Sequence, residues 1–299
     1  METSFADEIV LMEIKKLICF FAGCGMQIAL SSAAYAAETV LQEKIRPGEV
    51  KFLKFPGGAT HPNFSCRDVR LPLQDAKDHY TVVVSESYFS KMEPFQCELK
   101  DDETVITKID FTVEPKEFAH ENLHVDSTRV ELSEEIKKRV EAESALVKQI
   151  YSSPLDSLQF TEPFKAPLKS KITSPYGIKR NYNHGKKLGE HLGIDFRAAV
   201  GKKIPAANRG KVVLSQELYM SGNLVIIDHG LGIFTQYHHM SKRLVNVGDR
   251  VEKGQIVGLA GSTGRVSGPH LHWGANVQGN LVDGFDLINQ SKIYFKKSK

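Results

Sequence analysis

The longest apolar run of this 299-residue chain, Leu17–Leu30, falls short of the roughly 20 residues that a membrane-spanning helix needs, so no stable span is expected. There is no Gly-rich phosphate loop, no internal repeat and no low-complexity tract. An excess of one charge is missing as well: 39 basic residues face 36 acidic ones, for a formal charge of +3. A nucleic-acid partner calls for a strongly basic domain or stripe, so that class is set aside. Cysteine is scarce, with only Cys19, Cys24, Cys66 and Cys97.

What is present is the mix of a soluble globular protein, 41% hydrophobic and 25% charged, long enough for two ordinary domains and a linker. The N-terminus has the three parts of a secretory signal. Lys15 and Lys16 precede the apolar run, and small residues follow, ending in Ala34-Tyr35-Ala36. Glu2, Asp7 and Glu8 do not suit the front of such a signal, so Met12 is read as the start and residues 1–36 as the signal region. Phe21-Ala-Gly-Cys24 leaves a second reading open, a lipoprotein anchored at Cys24. Either way the chain is expected to be exported, to the periplasm or cell envelope. Cys66 and Cys97 are then the mature pair, which an oxidising compartment favours as a disulfide.

The body reads as mainly β. Val50–Phe55, Tyr80–Ser85 and Val105–Val113 are rich in β-branched and aromatic residues and are separated by turn signals. Residues 37–130 are therefore expected to form an immunoglobulin-like β-sandwich. Ser133 can cap a helix whose first turn holds Glu134 and Glu135. Ile136, Val140, Val147 and Ile150 recur at helical spacing, interrupted by Glu143, and Pro154 ends the run. Residues 131–169 are assigned as linker helix and connector. From 170 to 299 glycines separate strand-like runs, including Lys211–Ser215, Asn223–Asp228, Gly232–Tyr237 and Gln255–Gly258, and this half reads as all-β.

Seven of the eleven histidines lie beyond residue 171: His184, His191, His229, His238, His239, His270 and His272. In an extended strand alternate residues share a face, which puts His270 with His272, and His191 with Gly193 and Asp195. Gly193 between two ligands leaves room for a metal. Two histidines and an aspartate make a zinc set with one position open, and zinc there would lower a water's pKa toward about 7 and polarise a carbonyl.

Ser174-Pro-Tyr-Gly177, His191-Leu-Gly-Ile-Asp195, Gly222-Asn223, Asp228-His-Gly230, Tyr237-His-His-Met240, Gly248-Asp-Arg-Val-Glu-Lys-Gly-Gln255 and Gly264-Arg-Val-Ser-Gly-Pro-His-Leu-His-Trp273 occur in that order. Over residues 170–288 the chain thereby resembles the lysostaphin/LytM-type zinc peptidoglycan endopeptidases, whose fold is the duplicated hybrid motif. The resemblance implies a C-terminal β-rich metallopeptidase domain with an open groove and one Zn2+ per chain held by His191, Asp195 and His272. It also implies that His239 and His270 share proton transfer and transition-state stabilisation. His238 takes the variable position of its motif and is expected on the surface; His229 is expected in a structural turn, and His184 in a polar loop. Met240 stands where Leu is usual, and Val282-Asp-Gly284 where Asp-Pro is frequent. The implied function is an exported zinc metallo-endopeptidase acting on peptide stems or crosslinks of peptidoglycan, with D,D-specificity. The alternative is a non-catalytic peptidoglycan-binding or amidase-activating module, although such members typically lose ligands that are all present here.

Overall fold

The computed structural model describes residues 39–123, 132–183 and 187–297. The signal region, Met12, Cys24 and His184 lie outside the described residues. Among those described, no helix is long and apolar enough to cross a membrane.

Among the described residues, nine strands precede the first helix: β1 (Thr39–Ile45), β2 (Val50–Pro56), β3 (Pro62–Cys66), β4 (Val69–Leu71), β5 (Leu73–Asp75), β6 (His79–Ser85), β7 (Phe95–Asp101), β8 (Thr104–Val113) and β9 (His120–Leu123). One sheet has the order β1-β8-β7-β3-β4, with β1 parallel to β8; the other has the order β2-β6-β5. Phe64, Cys97, Leu99, Ile109 and Phe111 of the first sheet share a core with Phe55, Tyr80, Val82 and Val84 of the second, so the two sheets form a sandwich. Cys66 and Cys97 face each other across β3 and β7 and are joined by a disulfide.

The run Tyr80-Thr-Val-Val-Val-Ser85 explains how the rest attaches. A strand buried on one face alternates; this one is buried throughout, as strands covered on both faces are. Val82 and Val84 face the sandwich core, whereas Val83 joins Val50 and Tyr88 in the core of the C-terminal half. Hydrogen bonds cross the same contact, from Ser85 Oγ to Val277 O at 2.7 Å and from Asp283 N to Gly48 O at 2.8 Å.

Helix α1 (Glu134–Tyr151) starts where its sequence says, with Ser133 Oγ accepting the Ile136 N–H at 3.3 Å. Its last turn lays Val147, Ile150 and Tyr151 on a cluster containing Leu214, Leu224 and Phe234. Glu143, the break in the apolar stripe, accepts the Tyr219 N–H at 2.8 Å.

The C-terminal half holds β10 (Ile172–Ser174), β11 (Ile178–Tyr182), β12 (Lys187–His191), β13 (Ile194–Arg197), β14 (Lys203–Pro205), β15 (Gly210–Leu218), β16 (Gly222–Asp228), β17 (Ile233–Arg243), β18 (Arg250–Val251), β19 (Ile256–Ala260), β20 (His270–Val277) and β21 (Asn280–Val282). A large sheet runs β10-β13-β20-β17-β16-β15-β18, with β14, β19 and β21 paired at its margins. The hairpin β11–β12 stands apart and takes β9 as a parallel third strand. This half is not all-β: helix α2 (Gly284–Lys297) closes it and packs on β2. The Val282-Asp-Gly284 departure is where that helix begins, with Asp283 Oδ1 accepting the Phe285 N–H.

Candidate metal centre and groove

His191 and Asp195 do not share one strand as alternation suggested. His191 ends β12 and Asp195 belongs to β13, with a bend at Leu192-Gly193 between them. The bend turns both side chains toward His272, which lies directly across from Asp195 in the β13–β20 pairing. Gly193 is required there, because a Cβ would run into the His272 ring.

His191 Nε2 and His272 Nδ1 lie 3.0 Å apart, and both approach Asp195 Oδ1, at 3.0 and 2.8 Å. The three atoms fall within 4.8 Å of one another, an arrangement able to hold a metal ion. His191 Nδ1 is 2.9 Å from Pro175 O. A carbonyl can only accept, so Nδ1 carries the proton and Nε2 presents its lone pair inward, the usual outer support of a ligating histidine. A lone pair and a carboxylate converging in a buried place require positive charge between them. Ligand atoms around tetrahedral zinc stand about 3.3 Å apart, within a few tenths of an ångström of these separations. The donor set fits zinc. Burial opposes ionisation of Asp195, but the His191 and His272 rings against it outweigh that and hold the carboxyl well below the usual range.

Two further rings face this cluster. His270 Nδ1 donates to Gly268 O at 2.9 Å, and His239 Nδ1 to Thr263 O at 3.0 Å. Each ring thereby turns its Nε2 away from the backbone, that of His270 to 3.6 Å from Asp195 Oδ1, and the two ring centroids are 5.0 Å apart. Burial, with the fields of His272 and His270, pushes His239 down to about 3, so its ring is neutral near pH 7. His239 adopts φ = 59°, a left-handed conformation that a non-glycine residue takes only under constraint.

The constraint is a β-bulge. Tyr237 pairs with Val225 and Met240 with Asn223, so His238 and His239 together oppose Leu224. The bulge breaks alternation and turns both histidines to the same side. His238 is therefore not a surface residue: it is half-buried, lines the groove and packs edge-on to His272 with ring centroids 4.7 Å apart. His229 is a structural residue, fully buried, with Nδ1 donating to Arg209 O and Nε2 bonded to Thr235 Oγ1.

The site opens into a groove of about 800 Å3 lined also by Glu121, Ser174, Arg180, Arg197 and Arg265. Sequence reasoning did not single out these five. Arg197 carried a signal, two residues past Asp195 on one strand, and Arg265 stands inside the Gly264–Trp273 motif. Glu121 carried none, since it arrives from a different segment on β9.

The profile of peptidase family M23 matches residues 189–284, which contain all three converging ligands, His239 and His270. The catalytic domain of the antimicrobial peptidase lysostaphin from Staphylococcus simulans is 31% identical, with 92% of that domain and 40% of this chain covered (TM-score 0.36). The chain belongs to peptidase family M23. Peptidoglycan DD-endopeptidase ShyA of Vibrio cholerae is 38% identical over 136 residues, which is 45% of this chain and 32% of that protein. The chain spans between a quarter and a third of the length of the curated relatives ShyA, ShyB and ShyC. A peptidase M23 crystal structure from Pseudomonas aeruginosa superposes with a TM-score of 0.65 at 25% identity, covering 82% of this chain and 95% of that one. That M23 likeness extends beyond the residues matching the profile and takes in much of the N-terminal β-structure.

Proposed function

We propose that the chain is a zinc metallo-endopeptidase of the cell envelope that hydrolyses D,D-peptide crosslinks of peptidoglycan. The observation that carries this is the convergence of His191 Nε2, Asp195 Oδ1 and His272 Nδ1 in an open groove, beside two more histidines whose Nδ1 atoms are held by backbone carbonyls. The names of the V. cholerae relatives support the bond and the polymer. The disulfide agrees with an exported protein.

His191, Asp195 and His272 would hold one zinc ion. Zinc bound there supplies Lewis-acid polarisation of the scissile carbonyl and acidifies a water. The chain's own residues do the remainder. His239 and His270 each turn Nε2 toward the groove, and His239, neutral near pH 7, can take the proton of the attacking water. The ring so protonated becomes a donor that serves the leaving amine. Backbone carbonyls of Thr263 and Gly268 keep both rings in the required tautomer.

Purified sacculi digested by the protein, with products identified by mass spectrometry, test the reading. New stem peptides freed from D,D-crosslinks are expected, and none after chelation of the metal. Replacing His191, Asp195 or His272 by Ala should remove bound zinc and hydrolysis together. His270→Ala should keep zinc and lose roughly 100-fold or more in turnover. A zinc-loaded protein that leaves every peptide bond of the sacculus intact would instead be a binding module.

A further inference from the structure

Three guanidinium groups line the groove, and they are not equivalent. Arg180 is engaged: its Nη2 donates to Ser174 Oγ at 2.8 Å and lies 3.6 Å from Asp195 Oδ2, while Nε is 3.4 Å from Glu121 Oε2. Its charge is already matched by two carboxylates, and it ties the β9 strand to the metal cluster. Arg197 and Arg265 have no carboxylate partner among the described residues.

Both stand next to the candidate chemistry. Arg197 lies two residues beyond Asp195 on β13 and pairs in register with His270, as Asp195 pairs with His272. Cross-strand partners have Cβ atoms about 4.5–5.5 Å apart, so a guanidinium at position 197 reaches the space in front of the His270 ring. Arg265 follows the Gly264 turn (φ = 74°), and its backbone N–H is anchored to Met220 O at 3.0 Å. Met220 and Ser221 are on the side of the groove where the His239 backbone is held, by the Ser221 carbonyl. Unmatched positive charge thus lies on both sides of the paired histidines, and the acidic groups lining the groove, Glu121 and Asp195, are both engaged by Arg180.

We infer that Arg197 and Arg265 read a free carboxylate on the substrate immediately beside the scissile amide. This rests on the peptide-hydrolysing reading of the groove and narrows its substrate. A D-alanyl crosslink to diaminopimelate carries such a group, because the carbon bearing the scissile nitrogen also bears a carboxylate. A glycine bridge or an amidated diaminopimelate lacks it. The two arginines are specificity residues, acting in binding rather than in proton transfer.

The test compares a crosslinked muropeptide dimer carrying the free diaminopimelate carboxylate with the same dimer amidated there, using the zinc-loaded full chain. About a tenfold preference for the carboxylate form is expected, expressed in KM and shrinking as salt rises from about 0.05 to 0.5 M. The Arg197→Gln/Arg265→Gln pair should bring the preference near unity with zinc content unchanged, and the corresponding Lys pair should restore most of it. Equilibrium binding of the monomeric diaminopimelate-ending tripeptide and its amide is measured on the same proteins. Equal KM and equal binding for the two forms, or a preference undiminished in the Gln pair, would overturn the inference while leaving the hydrolase reading standing. Wild-type protein that binds the carboxylate form more tightly but cleaves neither would sustain the inference and sink that reading. Neither cleavage nor preference would remove both.

Discussion

His238 and His239 occupy the same bulge and face the same groove, yet only one of them is held as an acid–base group would be. His239 gives its Nδ1 proton to Thr263 O and keeps a free Nε2, whereas His238 Nε2 is bonded to Gln236 Oε1 at 3.1 Å. His239→Ala is therefore expected to lower turnover by roughly 100-fold with zinc retained. His238→Ala should be milder, a loss of about three- to tenfold that follows the packing of His272, with weaker zinc retention in a competition against chelator. Gly193→Ala should abolish zinc binding outright, because the added methyl displaces the His272 ring; zinc content by elemental analysis checks it. All five histidine and aspartate positions of the candidate site were legible in the sequence. The role of His238 was not, because a bulge inserts one residue into a strand and reverses the facing that alternation predicts. The bend at Gly193 hid itself the same way: His191 and Asp195 do converge, although the single strand supposed to bring them together does not exist.

At the scale of elements, the readable parts were those whose signal is local. Ser133 with Glu134 and Glu135 marks the start of α1, and β2, β6, β8 and β16 lie where their β-branched runs stand. Short pieces such as β4, β5 and β18, two or three residues each, carry no periodicity to read. Helix α2 was missed because its stretch Gly284–Lys297 follows strand-like sequence and opens with a glycine. The role of β9 was hidden for another reason, since its partner β11 lies more than fifty residues away. The Cys66–Cys97 bridge joins neighbouring strands across a sequence separation of 31 residues. Closing a loop of that size stabilises the sandwich by about 3–4 kcal/mol in the chain-entropy account. The Cys66→Ser/Cys97→Ser variant should lose about that much in denaturant unfolding, and thiol titration of the unreduced, denatured wild type should find no free thiol among the mature cysteines. Two free thiols in protein isolated from an oxidising compartment would reject the bridge.

Taken whole, the described residues form one compact unit, and the seam within it carries a titratable lock. Asp286, in the first turn of α2, accepts the Val50 N–H from β2 at 2.7 Å. Burial pushes its carboxyl up to about 6, reinforced by Glu49 and Asp283 and opposed by the Val50 hydrogen bond. In the unfolded chain the same group titrates near 3.8. Between those two values the folded state keeps a proton that the unfolded state has released, so stability is highest below about pH 4 and falls as pH rises through 6. Because the group is partly exposed, the loss is about 2 kcal/mol at most. His229 works in the opposite direction. Burial lowers it to about 4, so the fold loses stability as pH drops from the ordinary histidine range toward that value. A wild-type pH–stability curve mixes the two slopes, and only a difference curve separates them. Asp286→Asn keeps an oxygen for the Val50 N–H and cannot ionise. Subtracting its denaturant stability from that of wild type across pH 3.5–8 should give a curve that declines between about pH 4 and 6 and is flat above, with the variant the more stable at neutral pH. A flat difference through that window would mean that the seam holds Asp286 no differently from water.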